Sequence, residues 1–153
     1  HSSLMKKGKL LIFIVLIVLI LRLIFLSPWL EDWDSVQFAM ALKHFSMLKQ
    51  TPHPPGYPVY IFLAKSLNIF VNNPAQSLTL LSAFLGTAIA APFYLLAKEL
   101  ANKKIAIFVT FLLLLTPIEW SLSEVALSNI PGEFFAVTAA YLIYKGIIYH
   151  SIF

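Results

Sequence analysis

The sequence predicts an all-α membrane protein, a polytopic transmembrane helical bundle with additional helices along its outer face. Hydrophobic residues make up 59% of the 153 residues and charged residues only 12%, whereas soluble domains carry about 25% charged residues. Long apolar runs alternate with short polar stretches, and lysines gather at the ends of the runs. Because about 20 residues cross the hydrocarbon of a bilayer, four or five spans fit into the chain.

The first span is predicted over about residues 10–26, where an unbroken apolar run from Leu10 to Leu21 follows three lysines. Lysines before a first span indicate a cytoplasmic amino end. A signal peptide is the alternative because the run is short, but no small-residue cleavage site follows it. Residues 1–4, which precede Met5, are expected to be a cloning remnant.

A long outer loop is predicted over residues 27–74. Its first part, about 35–48, is amphipathic and predicts a helix along the membrane surface, with Asp34 as its N-cap. A second helix is predicted over about 57–71. Since it is short and carries Lys65 at its centre, a surface or re-entrant helix is favoured, and a further span is the alternative.

Three more spans are predicted in the second half of the chain, separated by a basic turn at 98–104 and a second outer loop at 119–131. They cover about residues 75–97, 105–118 and 132–149. With 57–71 kept outside, the basic turn lies in the cytoplasm beside the amino-terminal lysines, as the positive-inside rule requires. The net charge of +4 is scattered over span ends, so it does not indicate a nucleic-acid partner.

One six-residue stretch in the outer loop, the Pro-Pro turn, stands apart from the apolar runs. Three prolines and a glycine predict a rigid, non-helical backbone with few free donors. Such a backbone must lie at the interface, against protein or beside water. The turn therefore indicates a site, and its residues are His53, Pro54, Pro55, Gly56, Tyr57 and Pro58.

Asp34 is the leading candidate for chemistry. Glu31 and Asp32 lie beside it, and clustered acids either raise a pKa or recruit a divalent cation. Oxygen ligands favour Mg²⁺, Ca²⁺ or Mn²⁺. A simple N-cap with solvated charge is the alternative for Asp34, and a plain turn residue is the alternative to a ligand or proton carrier for His53.

Two further charged residues could border the same site. Arg22, near the outer end of the first span, either extends toward the headgroups or contacts a phosphate or the acidic cluster. Glu124 lies in the second outer loop, which could converge with the first. Glu119 and Glu133 are interpreted as ordinary hydrated acids.

These residues resemble the start of a GT-C type membrane glycosyltransferase, of the protein O-mannosyltransferase-like group with a His-Pro-Pro-Gly-Tyr-Pro turn. The resemblance rests on Arg22, on Asp34 and the residues after it, on the Pro-Pro turn, and on Trp120 followed by Glu124-Val125. It covers about residues 16–135.

The resemblance implies transfer of a sugar from a polyprenyl-phosphate donor on the outer face of the cell membrane. It implies that Asp34 is a general base or metal-linked acid, with Glu124 as the second acid and both as ligands of Mg²⁺ or Mn²⁺. Arg22 would contact the donor phosphate, and residues 53–58 would shape the cavity. Because relatives have more spans, we expect an amino-terminal fragment or a small relative.

A non-catalytic membrane module is the alternative function. It would bind a lipid phosphate through Arg22 or assemble with a second copy or with partner helices. The small residues Ala83, Gly86 and Ala90 indicate close helix packing of that kind.

Overall fold

The computed structural model describes residues 2–150, and side chains over residues 9–148. His1, part of the predicted cloning remnant, lies outside the described residues, as do 151–153. The described part is helical and contains no strand. Its helices are α1 (Ser2–Ile24), α2 (Trp33–Lys43), α3 (Pro58–Val71), α4 (Pro74–Ala88), α5 (Ala90–Leu100), α6 (Lys103–Leu115), α7 (Pro117–Leu122) and α8 (Asn129–His150).

Helix α2 is shorter than the predicted 35–48 and begins earlier. The predicted N-cap, Asp34, is wrong: Asp32 is the N-cap, and its side chain accepts a hydrogen bond from the backbone N–H of Asp34. The Ser35 hydroxyl in turn accepts from the backbone N–H of Asp32, at 3.1 Å. This reciprocal pair satisfies two otherwise unpaired donors, so the helix starts two residues before the predicted start. Residues Met47–Lys49 form a separate 3₁₀ turn.

The predicted second span is two helices, α4 and α5, that meet at Ile89. Pro92 explains the irregularity, because a proline has no N–H to give to the carbonyl four residues earlier, and its ring crowds that carbonyl. Helical hydrogen bonds continue on both sides, from Ile89 to Leu85 and from Phe93 to Ile89. Pro74–Leu100 is therefore one continuous helix with a local irregularity at Ile89.

The second predicted outer loop, 119–131, is partly helical. Pro117 occupies the first turn of α7, where its missing N–H costs nothing, and it separates α7 from α6. Helix α8 begins at Asn129. Only a short segment between α7 and α8 is irregular.

Two hydrophobic clusters divide the bundle into levels. The first joins Phe38 of α2, Tyr60 of α3, Leu78 of α4 and Ala126 of the α7–α8 segment. The second joins α1, α5 and α6 through Val18, Ala90 and Leu114. Helix α3 and the first half of α4 thus pack with α2, whereas α5 packs with α1 and α6.

Among the described residues, one helical stretch, Pro74–Leu100, is long and apolar enough by itself to cross a membrane. Helix α3 is apolar but shorter.

Candidate active site

Asp34 lies in the first turn of α2 with its side chain half exposed, at 48%. Its side chain is not consumed by capping, because Asp32 performs that function. The neighbouring Glu31 accepts a hydrogen bond from the Ser27 hydroxyl at 2.5 Å. Of the three clustered acids, Asp34 is therefore the one whose carboxylate has no local structural task.

The Pro-Pro turn is closed by a hydrogen bond from the Gly56 N–H to the His53 carbonyl, at 2.9 Å. Gly56 has a φ of +89°, and a Cβ there would lie 2.7 Å from the Met47 sulfur. Only glycine satisfies both the left-handed backbone and this close approach. Tyr57 is also left-handed, and Pro58 then begins α3. The turn therefore ends where α3 begins, and α3 is the next α-helix after α2, which carries Asp34.

The structure brings the turn to Asp34 through His53. The His53 Nδ1 lies 3.7 Å from an Asp34 carboxylate oxygen and 2.6 Å from the Gln37 side-chain oxygen. Its Nε2 lies 3.2 Å from the Tyr57 hydroxyl. Asp34 and Gln37 are three residues apart on α2, so they share one face of the helix.

Phe38 supports this arrangement from the first hydrophobic cluster. Its ring, 1% exposed, lies 5.8 Å from the His53 ring and meets Tyr57 edge-on at 5.1 Å. Aromatic pairs at such separations are favourable beyond the area they bury. The imidazole is therefore held by packing as well as by hydrogen bonds.

The segments predicted as the two outer loops contact each other, but not through their acids. The Ser27 N–H donates to the Glu124 carbonyl at 3.0 Å, and a cavity of about 210 Å³ lies between Glu31, Asp32 and residues 125–127. The Glu124 carboxylate interacts with Trp120 and Arg22 instead, and burial raises its pKa. Glu124 thus belongs to a second polar centre.

Arg22 forms that second centre, and it does not extend to the headgroups. It is 0% exposed. Its guanidinium donates to the Thr87 hydroxyl at 3.3 Å and to the Leu114 carbonyl at 3.4 Å, and it lies 3.9 Å from the Glu119 carboxylate. The Trp120 ring lies 5.7 Å away. Its predicted contact with a donor phosphate stays a prediction.

Glu119 was interpreted as a hydrated acid, and that interpretation is wrong, since its side chain is 3% exposed. Burial raises its pKa, the nearby Glu133 carboxyl raises it further, and Arg22 opposes the shift. A buried cation needs a compensating charge. Glu119 therefore belongs with Arg22 in a buried ionic centre that joins α1 to α7.

A complete metal site is not present among the residues described. No group of three or more histidine, cysteine or carboxylate side chains there is arranged to hold an ion. Asp34 and Glu124, the predicted ligands, belong to different centres. Both nitrogens of His53 already have partners. The described residues of this chain would therefore supply at most part of a ligand set.

Sequence reasoning placed the Pro-Pro turn beside Asp34 and missed two participants. Gln37 could have been found from its spacing on the helix that carries Asp34. Glu119 gave no such signal, because its burial depends on how α7 packs against α1.

Comparison with known proteins adds the family. A family profile described as Protein O-mannosyl-transferase TMEM260 N-terminal domain matches residues 34–142, well over half of the chain. The match begins at Asp34 and includes the Pro-Pro turn and Glu124. No curated protein and no solved structure gave a match. The chain belongs to the family of protein O-mannosyltransferase TMEM260 N-terminal domains.

Proposed function

We propose that this chain is the amino-terminal module of an integral-membrane glycosyltransferase of the GT-C type. It moves a sugar, mannose by its family's name, from a polyprenyl-phosphate donor to an acceptor hydroxyl, with Asp34 as general base. One observation carries the proposal: the half-exposed Asp34 carboxylate lies 3.7 Å from His53 of the Pro-Pro turn. The family match includes both residues.

The reaction is a single displacement. Asp34 accepts the proton of the acceptor hydroxyl while that oxygen forms a bond to the anomeric carbon of the sugar. The bond between the anomeric carbon and the phosphate oxygen breaks, and polyprenyl phosphate leaves with the electron pair. An exposed carboxylate next to a rigid turn suits this role, because an acceptor can approach it without rearrangement.

The leaving phosphate requires positive charge or hydrogen-bond donors. Mg²⁺ or Mn²⁺ with Asp34 as one ligand remains part of the proposal, and further ligands would come from other elements. Arg22 could contribute only through its electrostatic field, since its guanidinium is enclosed by α4, α6 and α7.

We place four spans in the membrane: α1, the continuous α4–α5 helix, α6 continued to residue 118, and α8. Helix α8 has 22 residues, about 33 Å at 1.5 Å per residue, enough for the hydrocarbon core. Helix α1 has 23 residues, and its apolar part follows Lys9. Both expose large apolar side chains, which suits lipid contact: Ile12, Phe13 and Ile20 on α1, and Leu142, Ile143 and Ile147 on α8.

Packing supports an outer position for α3. Its core residues contact α2 and the first half of α4, and the second hydrophobic cluster contains no α3 residue. The α5–α6 turn lies at the other end of α5, where Glu99 and Lys145 pair at 3.1 Å. In this arrangement the Pro-Pro turn and Asp34 face outward, and the lysines of residues 98–104 face the cytoplasm.

The non-catalytic alternative has less support. Ala83 and Ala90 are buried within the chain, and a Cβ on Gly86 would collide with the Ser123 hydroxyl. The small-residue face is therefore used for internal packing. A partner helix or a second copy would have to use another surface, such as exposed Phe62, Ile69 and Phe70 of α3.

Substitution of Asp34 tests the function. Asp34→Asn and Asp34→Ala are compared with Asp32→Asn, a matched control that changes the acid two residues earlier and keeps a good N-cap residue. The complete protein that carries this domain is assayed in membranes for mannose transfer from polyprenyl-phosphate mannose. Loss of about 10²–10⁴-fold is expected for the Asp34 variants; transfer at the wild-type rate would refute the role of Asp34.

Topology is tested with introduced cysteines, since the sequence contains none of its own. Gln76→Cys should react with a membrane-impermeant reagent from outside, and Lys104→Cys only from the cytoplasmic side. The same side for both residues would contradict the proposed topology.

A further inference from the structure

His53 is held at both ring nitrogens and at its backbone. Gln37, whose side chain is buried at 5% exposure, places its side-chain oxygen 2.6 Å from Nδ1. The same oxygen accepts a hydrogen bond from the His53 backbone N–H at 3.1 Å. One amide oxygen therefore serves two donors of one residue.

The backbone N–H fixes the orientation of the Gln37 amide. The oxygen and nitrogen of a glutamine are hard to distinguish by shape, so their assignment rests on the hydrogen-bond partners. A backbone N–H can only donate. If the amide were reversed, its NH₂ group would face this donor, so the oxygen must lie at this position.

The orientation of Gln37 decides which nitrogen of His53 carries the proton. An amide oxygen only accepts, so Nδ1 must be a donor and must be protonated. In the neutral ring Nε2 is then bare, and it accepts from the Tyr57 hydroxyl 3.2 Å away. The partners of both ring nitrogens are thus consistent with one tautomer.

The geometry points to Gln37 as a positioning residue that fixes His53 as the Nδ1–H tautomer, with this N–H edge toward the Asp34 carboxylate. The inference rests on the proposed function of Asp34 for its catalytic meaning. Nδ1 already carries a proton, so it cannot receive the one that Asp34 takes from the acceptor. His53 then orients Asp34 by a fixed dipole, rather than relaying protons or binding a metal.

Nitrogen NMR of ¹⁵N-histidine-labelled protein in lipid nanodiscs tests the tautomer directly. Protonated and bare ring nitrogens differ strongly in chemical shift, and the His53 signals are assigned by their loss in His53→Gln. At a pH where the ring is neutral, wild type should show protonated Nδ1 and bare Nε2. A protonated Nε2 in wild type would overturn the inference without any variant having to fold.

Variants of Gln37 separate tautomer control from simple packing. Gln37→Met keeps the length but removes the acceptor, so the Nε2–H tautomer should become populated. Gln37→Glu keeps an acceptor, so Nδ1 should stay protonated. An unchanged tautomer in Gln37→Met would contradict the inference, as would loss of Nδ1 protonation in Gln37→Glu.

Transfer assays distinguish this inference from the proposed function. Gln37→Met removes both hydrogen bonds between His53 and the Gln37 oxygen, so it should lower the turnover rate at least about tenfold, with little change in the KM for the donor. A change confined to KM would contradict a positioning role. Wild-type transfer by Asp34→Asn would remove the proposed function and leave the tautomer result standing.

Discussion

Replacement of Arg22 by methionine should destabilise the protein by removing the cation that faces Glu119 in the buried ionic centre. Glu119 would keep its burial, at 3% exposure, and lose the charge 3.9 Å away. Breaking a buried pair from one side costs about 3–5 kcal/mol. The two hydrogen bonds of Arg22 are long, at 3.3 and 3.4 Å, so we expect a loss near the lower end, about 3 kcal/mol.

The double variant Arg22→Met/Glu119→Leu separates charge from packing. Replacing both members of a buried pair by apolar residues is often neutral or stabilising. We expect the double variant to lie within about 1 kcal/mol of wild type, a coupling of about 2 kcal/mol or more between the two sites. Leu23→Met, a conservative change at a more exposed position of the same helix, is the control.

Equilibrium unfolding in mixed detergent micelles at pH 8 supplies the free energies. A loss below about 0.5 kcal/mol in Arg22→Met, the level of an ordinary surface substitution, would refute the buried ionic centre. So would a double variant whose loss equals the sum of the two single losses.

Three further outcomes follow from the same structure. Gly86→Ala should destabilise the protein by about 1–3 kcal/mol, because the added Cβ would collide with the Ser123 hydroxyl. Gly132→Ala has nothing within 4 Å of the added Cβ, so it should be neutral or stabilise the protein by up to about 1 kcal/mol. Thermal unfolding compares the two variants, and equal effects would contradict the packing around Gly86. Asp32→Ala should cost about 1 kcal/mol and speed hydrogen exchange at the start of α2, because it removes the N-cap; an unchanged exchange rate would contradict the cap. Burial raises the pKa of Glu119, so the folded state keeps a proton that the unfolded state loses, and stability should fall as pH rises from 4.5 toward neutrality. In Glu119→Gln this fall should be smaller. An unchanged dependence of stability on pH in this variant would contradict the raised pKa of Glu119.

Local features of the fold were predictable because they depend on neighbours in sequence. The Pro-Pro turn needs only its own prolines and Gly56, and a helix after Asp34 was predicted from its amphipathic pattern; its place on the membrane surface stays a prediction. The N-cap was misplaced because Ser35 and Asp32 form a reciprocal pair, which favours the earlier start. The irregularity of the helix at Ile89 could also have been predicted, since Pro92 lies three residues later.

The buried ionic centre was not predictable from the sequence. Arg22 in an apolar helix has two plausible destinations, the headgroups or the protein interior, and its own neighbours do not choose between them. The choice depends on Thr87, Leu114 and Glu119, which three other helices contribute. Long-range packing of this kind has no local signature.

The role of Asp34 as general base is best tested by the transfer rate of Asp34→Asn relative to Asp32→Asn, at saturating polyprenyl-phosphate mannose. Both variants replace one carboxylate by an amide in the same turn, and only Asp34 faces His53. A ratio of about 10⁻² or lower is expected, with both proteins present in the membrane at equal amounts. A ratio near one would contradict this role of Asp34.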